Sequence, residues 1–348
     1  MLNRISKRGL SLNLILVFLL SGCANNSSTE KYPFDYSGPI MGTSFSIKAS
    51  QLPEGIKTYR IEELIQNRLA EINQRMSTYV EDSELSLINS SQSTTAQFIS
   101  PDLFTVLLSA KEINQLSGGA FDVTVAPLVN LWGFGPDKMT YKAPEDKLIQ
   151  QTLAQTGDDN IALTTRLKTL SKTIPELSID LSALAKGYAV DQVAELLEKQ
   201  GITDFMVEIG GELYLKGKNL QGKNWRIAIE KPNTEKRELQ RVLSITDIAM
   251  ATSGDYRNFF EQDGKRFSHT IDPRTGYPVT HKLASVTVLS DTTMKADAWA
   301  TALMVLGPEE GYQVAEKQEL AAYFIIKTDQ GFVERASPLF TEQTKVEQ

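Results

Sequence analysis

The sequence predicts an α+β fold in which mixed, largely antiparallel sheets pack against several long helices. Apolar residues recur at helical spacing in four segments, and short strand-like runs bounded by turn residues are spread among them. Many short strands with hairpin-like connections favour this architecture over a doubly wound parallel sheet. The chain has 348 residues, of which 41% are hydrophobic, so it is long enough to bury a large core.

Four segments carry the helical pattern. Residues 61–76 place apolar side chains three and four positions apart. Residues 101–116 repeat the pattern between a proline at the start and paired glycines at the stop. Residues 181–200 form a third predicted helix with a glycine directly after it, and residues 296–306 lie on a fourth.

Strand signals occupy most of the second half of the chain. Alternation and β-branched residues predict strands at 44–48, 205–209, 212–216, 225–230, 242–251, 266–271, 284–289 and 322–327. The polar, weakly patterned stretch 137–173 is predicted to be a peripheral insertion. No internal repeat of solenoid period and no sharp domain boundary is visible in the sequence.

The N-terminus predicts export. Two arginines and one lysine within the first eight residues precede an apolar run at 10–20, which is too short for a membrane span, as in a secretory signal peptide. The run ends in Leu20-Ser21-Gly22-Cys23, which matches the lipobox of bacterial lipoproteins. The match implies cleavage before Cys23 and stable anchoring through acyl chains on that cysteine. An ordinary signal peptide with a chance cysteine is the alternative.

These features divide the chain into three parts. Residues 1–22 are interpreted as the lipoprotein signal peptide, 23–36 as a flexible tether and 37–342 as the folded domain. Loss of the signal peptide leaves 33 basic against 43 acidic residues and a net charge of about −10. Because the mature chain has no dense basic stretch, its composition argues against nucleic acid as a partner.

Cysteine and histidine counts narrow the possible chemistry. Cys23 is the only cysteine, so the mature domain can form no internal disulfide and has no thiolate metal site or cysteine nucleophile. His269 and His281 are the only histidines, which argues against a multi-histidine zinc site. An exported domain of this composition must be held together by its core alone.

Residues 291–306 carry the most informative pattern. On a helix, Asp297 and Thr301 lie one turn apart on a stripe of otherwise small and apolar residues. A buried carboxylate needs a partner, which can be a base, a set of backbone donors or a metal. Asp and Thr at this spacing suit a hard, oxygen-bound cation such as Mg²⁺. A salt-bridged Asp beside a back-bonded Thr is the alternative.

A second pattern lies at 178–189, where a short apolar strand runs into a helix with small residues in its first turn. Asp180 precedes this helix and Lys186 lies inside it. A helix N-terminus presents free N–H groups to a phosphate, and Lys186 would add a positive charge there. A capped helix whose lysine reaches solvent is the alternative.

Paired glycines and a histidine supply weaker signals. Gly118-Gly119 and Gly210-Gly211 allow a backbone to approach a ligand closely, but paired glycines also simply end helices. His269 is predicted to lie on a strand that enters a turn at Asp272-Pro273. It alternates with apolar neighbours, so a core histidine and a general base are both open interpretations.

Taken together, these segments resemble the ApbE family of FAD:protein FMN transferases. The resemblance covers about residues 38–340 in the family's order. The matching motifs are Met41-Gly42-Thr43, Met76-Ser77-Thr78-Tyr79, Gly118-Gly119-Ala120-Phe121-Asp122, Asp180-Leu181-Ser182-Ala183-Leu184-Ala185-Lys186-Gly187, Gly210-Gly211, Ala251-Thr252-Ser253-Gly254, His269-Thr270-Ile271-Asp272-Pro273 and Asp297-Ala298-Trp299-Ala300-Thr301. Any one of these motifs is a weak signal, whereas the ordered set is specific.

The resemblance implies an ApbE-like fold with FAD in a cleft between subdomains and Mg²⁺ at its pyrophosphate. The implied metal ligands are Asp297, Thr301 and the backbone carbonyl of Ala183. The implied FAD contacts are Met41, Tyr79, Ala120, Phe121, Asp122, Asp180, Lys186 and Ile271. Three oxygen ligands leave room for water and phosphate oxygen, as Mg²⁺ prefers.

The family's reaction moves FMN from FAD to a threonine or serine hydroxyl of a client flavoprotein and releases AMP. His269 is the candidate for accepting the hydroxyl's proton, and Asp297 is the second candidate. An FAD pyrophosphatase that gives FMN and AMP, and a non-catalytic flavin-binding lipoprotein, are the rival interpretations. The resemblance also implies clients in membrane redox complexes, and hence an inner-membrane anchor on the periplasmic side.

Overall fold

The computed structural model describes residues 31–135, 142–232, 238–255 and 259–345. The strands are β1 (Phe34–Ile40), β2 (Thr43–Ala49), β3 (Gln97–Phe98), β4 (Ile161–Thr164), β5 (Thr169–Lys172), β6 (Phe205–Ile209), β7 (Glu212–Lys216), β8 (Trp225–Glu230), β9 (Leu239–Ile245), β10 (Ile248–Gly254), β11 (Phe259–Gln262), β12 (Lys265–Ser268), β13 (Ile271–Asp272), β14 (Tyr277–Pro278), β15 (Leu283–Ser290), β16 (Ala321–Thr328) and β17 (Gly331–Ala336). The helices are α1 (Thr58–Met76), α2 (Glu84–Ser90), α3 (Pro101–Leu116), α4 (Ala126–Leu131), α5 (Asp146–Leu153), α6 (Ala185–Lys199), α7 (Thr293–Lys317) and α8 (Pro338–Gln343), with a short 3₁₀ turn at Asp158–Asn160.

An eight-stranded sheet organises these elements. Its strand order is β1-β2-β6-β7-β10-β15-β16-β17, and every neighbouring pair is antiparallel. Smaller sheets are formed by β3-β5-β4, β8-β9, β11-β12 and β13-β14. The predicted α+β fold with largely antiparallel sheets is therefore confirmed.

Both faces of the large sheet are buried at the central strands β15 and β16, where successive side chains point to opposite faces. Phe324 on β16 points into a core that includes residues of α1, α3, α6 and α7. Its neighbour Tyr323 points into a second core, which the β8-β9 hairpin covers with Trp225 and α8 covers with Phe340. The long helices thus cover one face of the sheet, and this helix-covered face carries the site described below.

Most predicted elements are confirmed, and helix α3 has the predicted bounds. The predicted strand 242–251 is wrong as a single element, because a turn at Asp247, with φ of 52°, divides it into β9 and β10. The predicted helix 181–200 begins only at Ala185, after a turn. Strand β12 ends at Ser268, so His269 lies between strands and not on the predicted one.

Two boundaries also differ from expectation. β1 begins at Phe34, inside the segment predicted as a tether. The predicted insertion 137–173 contributes β4 and β5, and Leu170 of β5 is fully buried in the helix-side core. This stretch is therefore part of the fold where the structure describes it. Cys23 and the predicted signal peptide 1–22 lie outside the described residues.

Residues Tyr32–Gln348 form one compact unit, and the expected cleft between subdomains stays a prediction. Within the described ranges, no helix is long and apolar enough to cross a membrane.

Candidate active site

A cavity of about 420 Å³ gathers almost all of the predicted site residues. Its lining comes from the loops after α1 and α3, helix α4 and the segment after it, and the turn before α6 with the first turn of that helix. Strands β7 and β10, the β12–β13 connection with the start of β13, and helix α7 complete it. The lining residues are Thr78, Tyr79, Ala120, Phe121, Asp122, Val123, Val125, Val129, Phe134, Gly135, Asp180, Ser182, Ala183, Lys186, Glu212, Thr252, Ser253, Gly254, His269, Thr270, Ile271, Pro273, Asp297, Thr301, Met304 and Val305. Segments that are far apart in sequence therefore meet at one place.

Helices α6 and α7 approach each other closely at Gly187. A Cβ atom at this position would stand 2.4 Å from the backbone oxygen of Thr293, so only glycine fits without displacing backbone. The close approach lets the Gly187 N–H donate to Asp297 Oδ2 at 3.2 Å. Asp191, one turn further along α6, accepts the N–H groups of Thr293 and Met294 at 2.7 and 2.9 Å. α6 thereby fixes both the start of α7 and the Asp297 carboxylate.

Lys186 links two buried carboxylates at the cavity wall. Its Nζ lies 3.2 Å from Glu212 Oε1 and 3.5 Å from Asp297 Oδ2, and it donates to the Ser182 carbonyl at 3.3 Å. Asp297 is 4% exposed and Glu212 is 5% exposed, whereas a quarter (25%) of the Lys186 side chain reaches solvent. The lysine side chain is therefore partly exposed where it lines the cavity, while its counterions are buried.

Burial and charge act in opposite directions on this cluster. Burial raises the pKa of Asp297, and the Lys186 ammonium opposes that rise. Burial and then the charge of Asp297 raise the pKa of Glu212. Burial by itself would lower the pKa of Lys186, but the two carboxylates outweigh it and raise that pKa. The lysine is therefore held in its charged form.

The predicted oxygen ligands fit a hard cation chemically. Asp297, Thr301 and Ala183 line the same cavity, and the Thr301 hydroxyl lies 3.3 Å from Ser253 Oγ. One carboxylate, one hydroxyl and one peptide carbonyl are the donor types that Mg²⁺ accepts beside water and phosphate. No three His, Cys, Asp or Glu side chains are grouped for a metal within the described ranges, as expected of a set with a single carboxylate.

The turn before α6 is held by neighbouring groups. Asp180 N–H donates to the Val123 carbonyl at 2.7 Å, and Asp180 Oδ1 accepts the Ser182 N–H at 2.8 Å. The Asn89 side chain pairs with both backbone groups of Ile179, each at 2.8 Å. Ala183 therefore lies in this turn and not in the helix that the sequence predicted. Its carbonyl oxygen is not required for the regular hydrogen bonds of a helix.

The segment after α3 forms another part of the wall. Ala120 and Phe121 are buried, at 1% and 2% exposure. Asp122 Oδ1 accepts the N–H and the hydroxyl of Thr124 at 2.8 and 2.6 Å, and Oδ2 accepts the Asp158 N–H at 3.1 Å. Both oxygens are thus engaged by the protein, and burial raises the pKa of Asp122. The structure assigns this carboxylate a part in shaping the wall.

Tyr79 and Met41 stand apart from the other predicted contacts. Tyr79 lines the cavity and is 77% exposed, as a residue at its rim. Met41 lies in the β1–β2 turn with φ of 48° and packs against the helix-side core. It is not among the residues that line the cavity.

The two histidines have different surroundings. His269 is half-buried, lines the cavity, and has its ring 6.3 Å from that of Phe134 in an edge-on arrangement. Two residues further on, Ile271 is buried at 5% exposure and also lines the cavity. His281 lies outside the cavity lining, where its Nε2 bonds the Met304 carbonyl at 2.8 Å. His269 therefore lies at the cavity, and His281 is held by backbone groups outside the cavity lining.

Glu212 is the main residue that the sequence interpretation missed. It follows the Gly210-Gly211 pair at the start of β7, and only the glycines of this segment were interpreted as a possible place of close approach to a ligand. The signal was present, since an acidic residue at the start of a largely apolar strand must find a partner when buried. Only the fold shows that this partner is Lys186.

Comparisons with known proteins identify the family of this chain. A lysine beside a helix start suits a phosphate-bearing ligand, and a carboxylate, a hydroxyl and a peptide carbonyl suit a hard cation. The model of the ApbE family matches residues 41–324. A Vibrio cholerae protein named FAD:protein FMN transferase is 48% identical over 94% of this chain and 96% of its own length. A Haemophilus influenzae protein of the same name is 48% identical over 90% of this chain and 92% of its own.

Solved structures agree with the sequence comparisons. The flavin transferase ApbE from Vibrio cholerae superposes with a TM-score of 0.83 at 47% identity, over 89% of this chain and 98% of that one. The apo form of the Pseudomonas stutzeri flavinyl transferase ApbE gives a TM-score of 0.82 at 35% identity, over 90% and 97% of the two chains. The chain described here belongs to the ApbE family, as its motifs predicted.

Proposed function

We propose that this chain is an FAD:protein FMN transferase that moves FMN from FAD to a threonine or serine hydroxyl of client flavoproteins and releases AMP. Transfer of FMN to protein is the activity for which relatives at 48% identity are named. The hydroxyl acceptor, AMP release and a requirement for Mg²⁺ go beyond those names. They are supported by the site motifs and by the arrangement of the cavity.

The observation that carries the proposal is the meeting of Lys186, Asp297 and Thr301 in one cavity. A positive charge and a hard-cation ligand set side by side are what a pyrophosphate needs, because phosphoryl transfer depends on charge stabilisation and positioning. Asp297, Thr301 and the Ala183 carbonyl would hold Mg²⁺. When bound, the ion supplies Lewis acidity and neutralises charge on phosphate oxygens.

The bond changes can be written from the chain's own residues. The acceptor hydroxyl oxygen bonds to the phosphorus on the FMN side of the pyrophosphate, and the bond from that phosphorus to the bridging oxygen breaks. AMP leaves with the electron pair of that bond. Lys186 offsets negative charge on the pyrophosphate and on the leaving group. His269 accepts the proton that the hydroxyl loses.

His269 suits the role of base better than Asp297 does. The Asp297 carboxylate accepts the Gly187 N–H and pairs with Lys186 through Oδ2, and it is also the carboxylate that would hold the cation. His269 is half-buried at the cavity, and its imidazole is of the type that exchanges protons near neutral pH. Tyr79 and Phe121 supply aromatic surface for a flavin or adenine ring.

The first test uses Asp297→Ala. Purified protein is incubated with FAD, Mg²⁺ and the flavin-carrying domain of a membrane redox complex; covalent flavin fluorescence on the client and AMP release are then measured. The variant is expected to lose about 100-fold or more of the transfer rate, because the site loses its one carboxylate ligand to the cation. Asp291→Ala, on the exposed turn before the same helix, is the matched control and should retain wild-type activity.

Three outcomes would contradict the proposal. Normal transfer by Asp297→Ala would show that the metal assignment is wrong. AMP release without any labelling of client, with water as acceptor, would identify an FAD pyrophosphatase. FAD binding without AMP release, with or without Mg²⁺, would identify a flavin-binding lipoprotein.

We further propose that the protein is anchored to the periplasmic face of the inner membrane through lipidated Cys23. The lipobox supports this proposal, as does the expected location of clients in membrane redox complexes. Anchoring confines enzyme and client to one surface and raises their effective concentration. Cys23→Ser is expected to release the protein from the membrane and to slow client labelling in cells; undiminished labelling by a soluble variant would contradict the role of the anchor.

A further inference from the structure

Glu212 has one engaged oxygen and one buried oxygen without a partner. Oε1 lies 3.2 Å from Lys186 Nζ, whereas Oε2 has no hydrogen-bond partner among the residues that the structure describes. Gly210 makes room for this pair, since a Cβ there would lie 3.2 Å from Lys186 Cδ and 3.3 Å from Glu212 Oε2. A buried, half-satisfied carboxylate is costly, so its presence at the cavity wall calls for a reason.

The reason lies in what surrounds Lys186. Glu212, Asp297 and the Ser182 carbonyl are the oxygens that hold its ammonium. Under the proposed function, Asp297 also serves a cation. When Asp297 binds a cation, the cation neutralises part of the charge that otherwise attracts Lys186. Glu212 is then the remaining anionic partner of Lys186 in the described cluster.

We propose that Glu212 is a positioning residue, which holds the Lys186 ammonium at the cavity wall where it meets the pyrophosphate of FAD. This inference rests on the proposed function and assigns Glu212 a part in the same site. Glu212 acts through Lys186. Glu212 is 5% exposed and its Oε2 is buried, so its effect on substrate passes through the lysine.

The direction in which Glu212→Gln changes FAD affinity distinguishes a positioning role from a purely structural one. A carboxylate near a pyrophosphate repels it, so Glu212→Gln would tighten FAD binding if Glu212 had no part in placing the lysine. If Glu212 positions Lys186, the same substitution weakens FAD binding, because the ammonium loses its charged partner. The expected loss is about tenfold in affinity, which corresponds to one charge-assisted hydrogen bond.

A double-mutant cycle provides the test. Glu212→Gln, Lys186→Met and the double variant are titrated with FAD by flavin fluorescence, once with EDTA and once with Mg²⁺. The positioning role predicts that Glu212→Gln costs about tenfold in the wild-type background and less than about twofold in the Lys186→Met background. Glu208→Gln is the matched control: Glu208 accepts the Gly211 N–H at 2.6 Å and does not line the cavity. It should leave the FAD affinity unchanged.

Each result decides between the possibilities. Equal losses in both backgrounds, or a gain in affinity, would overturn the positioning role while leaving FMN transfer intact. Wild-type protein that binds no FAD would overturn the proposed function, and this inference with it. Thermal unfolding reports whether each variant folds; if Glu212→Gln does not, Glu212→Asp keeps the charge at a greater distance and should give a smaller loss that again disappears with Lys186→Met.

Discussion

The cavity has two walls of different construction. The helix wall presents Lys186 from α6 together with Asp297 and Thr301 from α7, and the backbone of Gly187 fixes Asp297 in place. The loop wall presents Tyr79 after α1 and His269 between β12 and β13. Asp297 is 4% exposed, whereas Tyr79 is 77% exposed.

This difference matches the two substrates of the proposed reaction. Groups that stabilise a pyrophosphate act best when they are fixed before the substrate arrives, and packed helices fix them. The acceptor is a residue of another protein, so the groups that meet it must stay accessible. The helix wall is therefore expected to determine the affinity for FAD and the cation, and the loop wall to determine the rate of transfer to the acceptor.

The largest effect on the loop wall is expected from His269→Ala. Loss of a general base typically costs about 100-fold or more in rate. FAD affinity should change little, because the helix wall is untouched. Stopped-flow measurement of AMP release and flavin titration separate the two quantities.

His281→Ala is the control for His269, since this second histidine lies outside the cavity lining. Under conditions in which the His281→Ala variant is folded, its transfer rate should stay close to that of the wild type. If His269→Ala weakened FAD binding as strongly as it slowed transfer, the division of labour between the walls would be wrong.

A smaller effect is expected from Gly187→Ala on the helix wall. The added methyl meets the Thr293 carbonyl at 2.4 Å, so α6 and α7 must separate. Overpacking of this kind costs about 1–3 kcal/mol in the free energy of unfolding. The separation should also weaken the Gly187–Asp297 hydrogen bond and raise the Mg²⁺ concentration needed for half-maximal rate.

Denaturant unfolding and a Mg²⁺ titration test this prediction together. Glu195→Ala, at an exposed position of the same helix, should change stability by less than about 0.5 kcal/mol and leave the Mg²⁺ requirement unaltered. A Gly187→Ala variant with wild-type stability and Mg²⁺ requirement would show that the close helix contact does not fix Asp297.

The smallest effect concerns His281, which supports the kink of α7. Pro308 cannot donate to the Met304 carbonyl, and His281 Nε2 bonds that carbonyl at 2.8 Å instead. Its Nδ1 accepts the Leu283 N–H at 3.3 Å, so the neutral ring satisfies both contacts. Burial lowers the pKa of His281, although the Met304 contact opposes the shift.

A lowered pKa fixes the direction of the pH effect. The native state binds fewer protons at His281 than the unfolded chain, whose pKa is near 6.5. The contribution of His281 to the free energy of unfolding is present above that pH and is lost as pH falls below it. The melting temperature of wild type should therefore drop between pH 7.5 and 5.5 more than that of His281→Gln. Parallel melting curves for the two proteins would contradict this assignment.

The sequence predicted the elements better than their ends. Pro101 at the start and Gly118-Gly119 after the end located α3 to the residue, because such start and stop signals are local to the sequence. The late start of α6 depends on contacts that Asp180 and Ile179 make with distant segments. The turn at Asp247 depends on a non-glycine residue taking φ of 52°, for which the surrounding run of strand formers gave no signal.

The sequence predicted the kind of site and part of the set of residues that form it. Asp297 and Thr301 share a helix face, so their spacing could be read directly from the sequence. Ion pairing between Lys186 and Glu212 joins α6 to the start of β7 and has no local signature. Met41 matched a family motif, yet its turn places it outside the cavity lining. Motif matches thus located the cavity, and tertiary packing decided which residues line it.

The central claim is that one cavity serves FAD, a cation and a protein acceptor. The most direct measurement follows covalent flavin on a client domain and AMP in the same reaction, with and without client and with Mg²⁺ or EDTA. The account predicts one AMP per flavin attached, strong dependence on Mg²⁺ and little AMP when client is absent. AMP release that is independent of client, or client labelling that persists in EDTA, would contradict it.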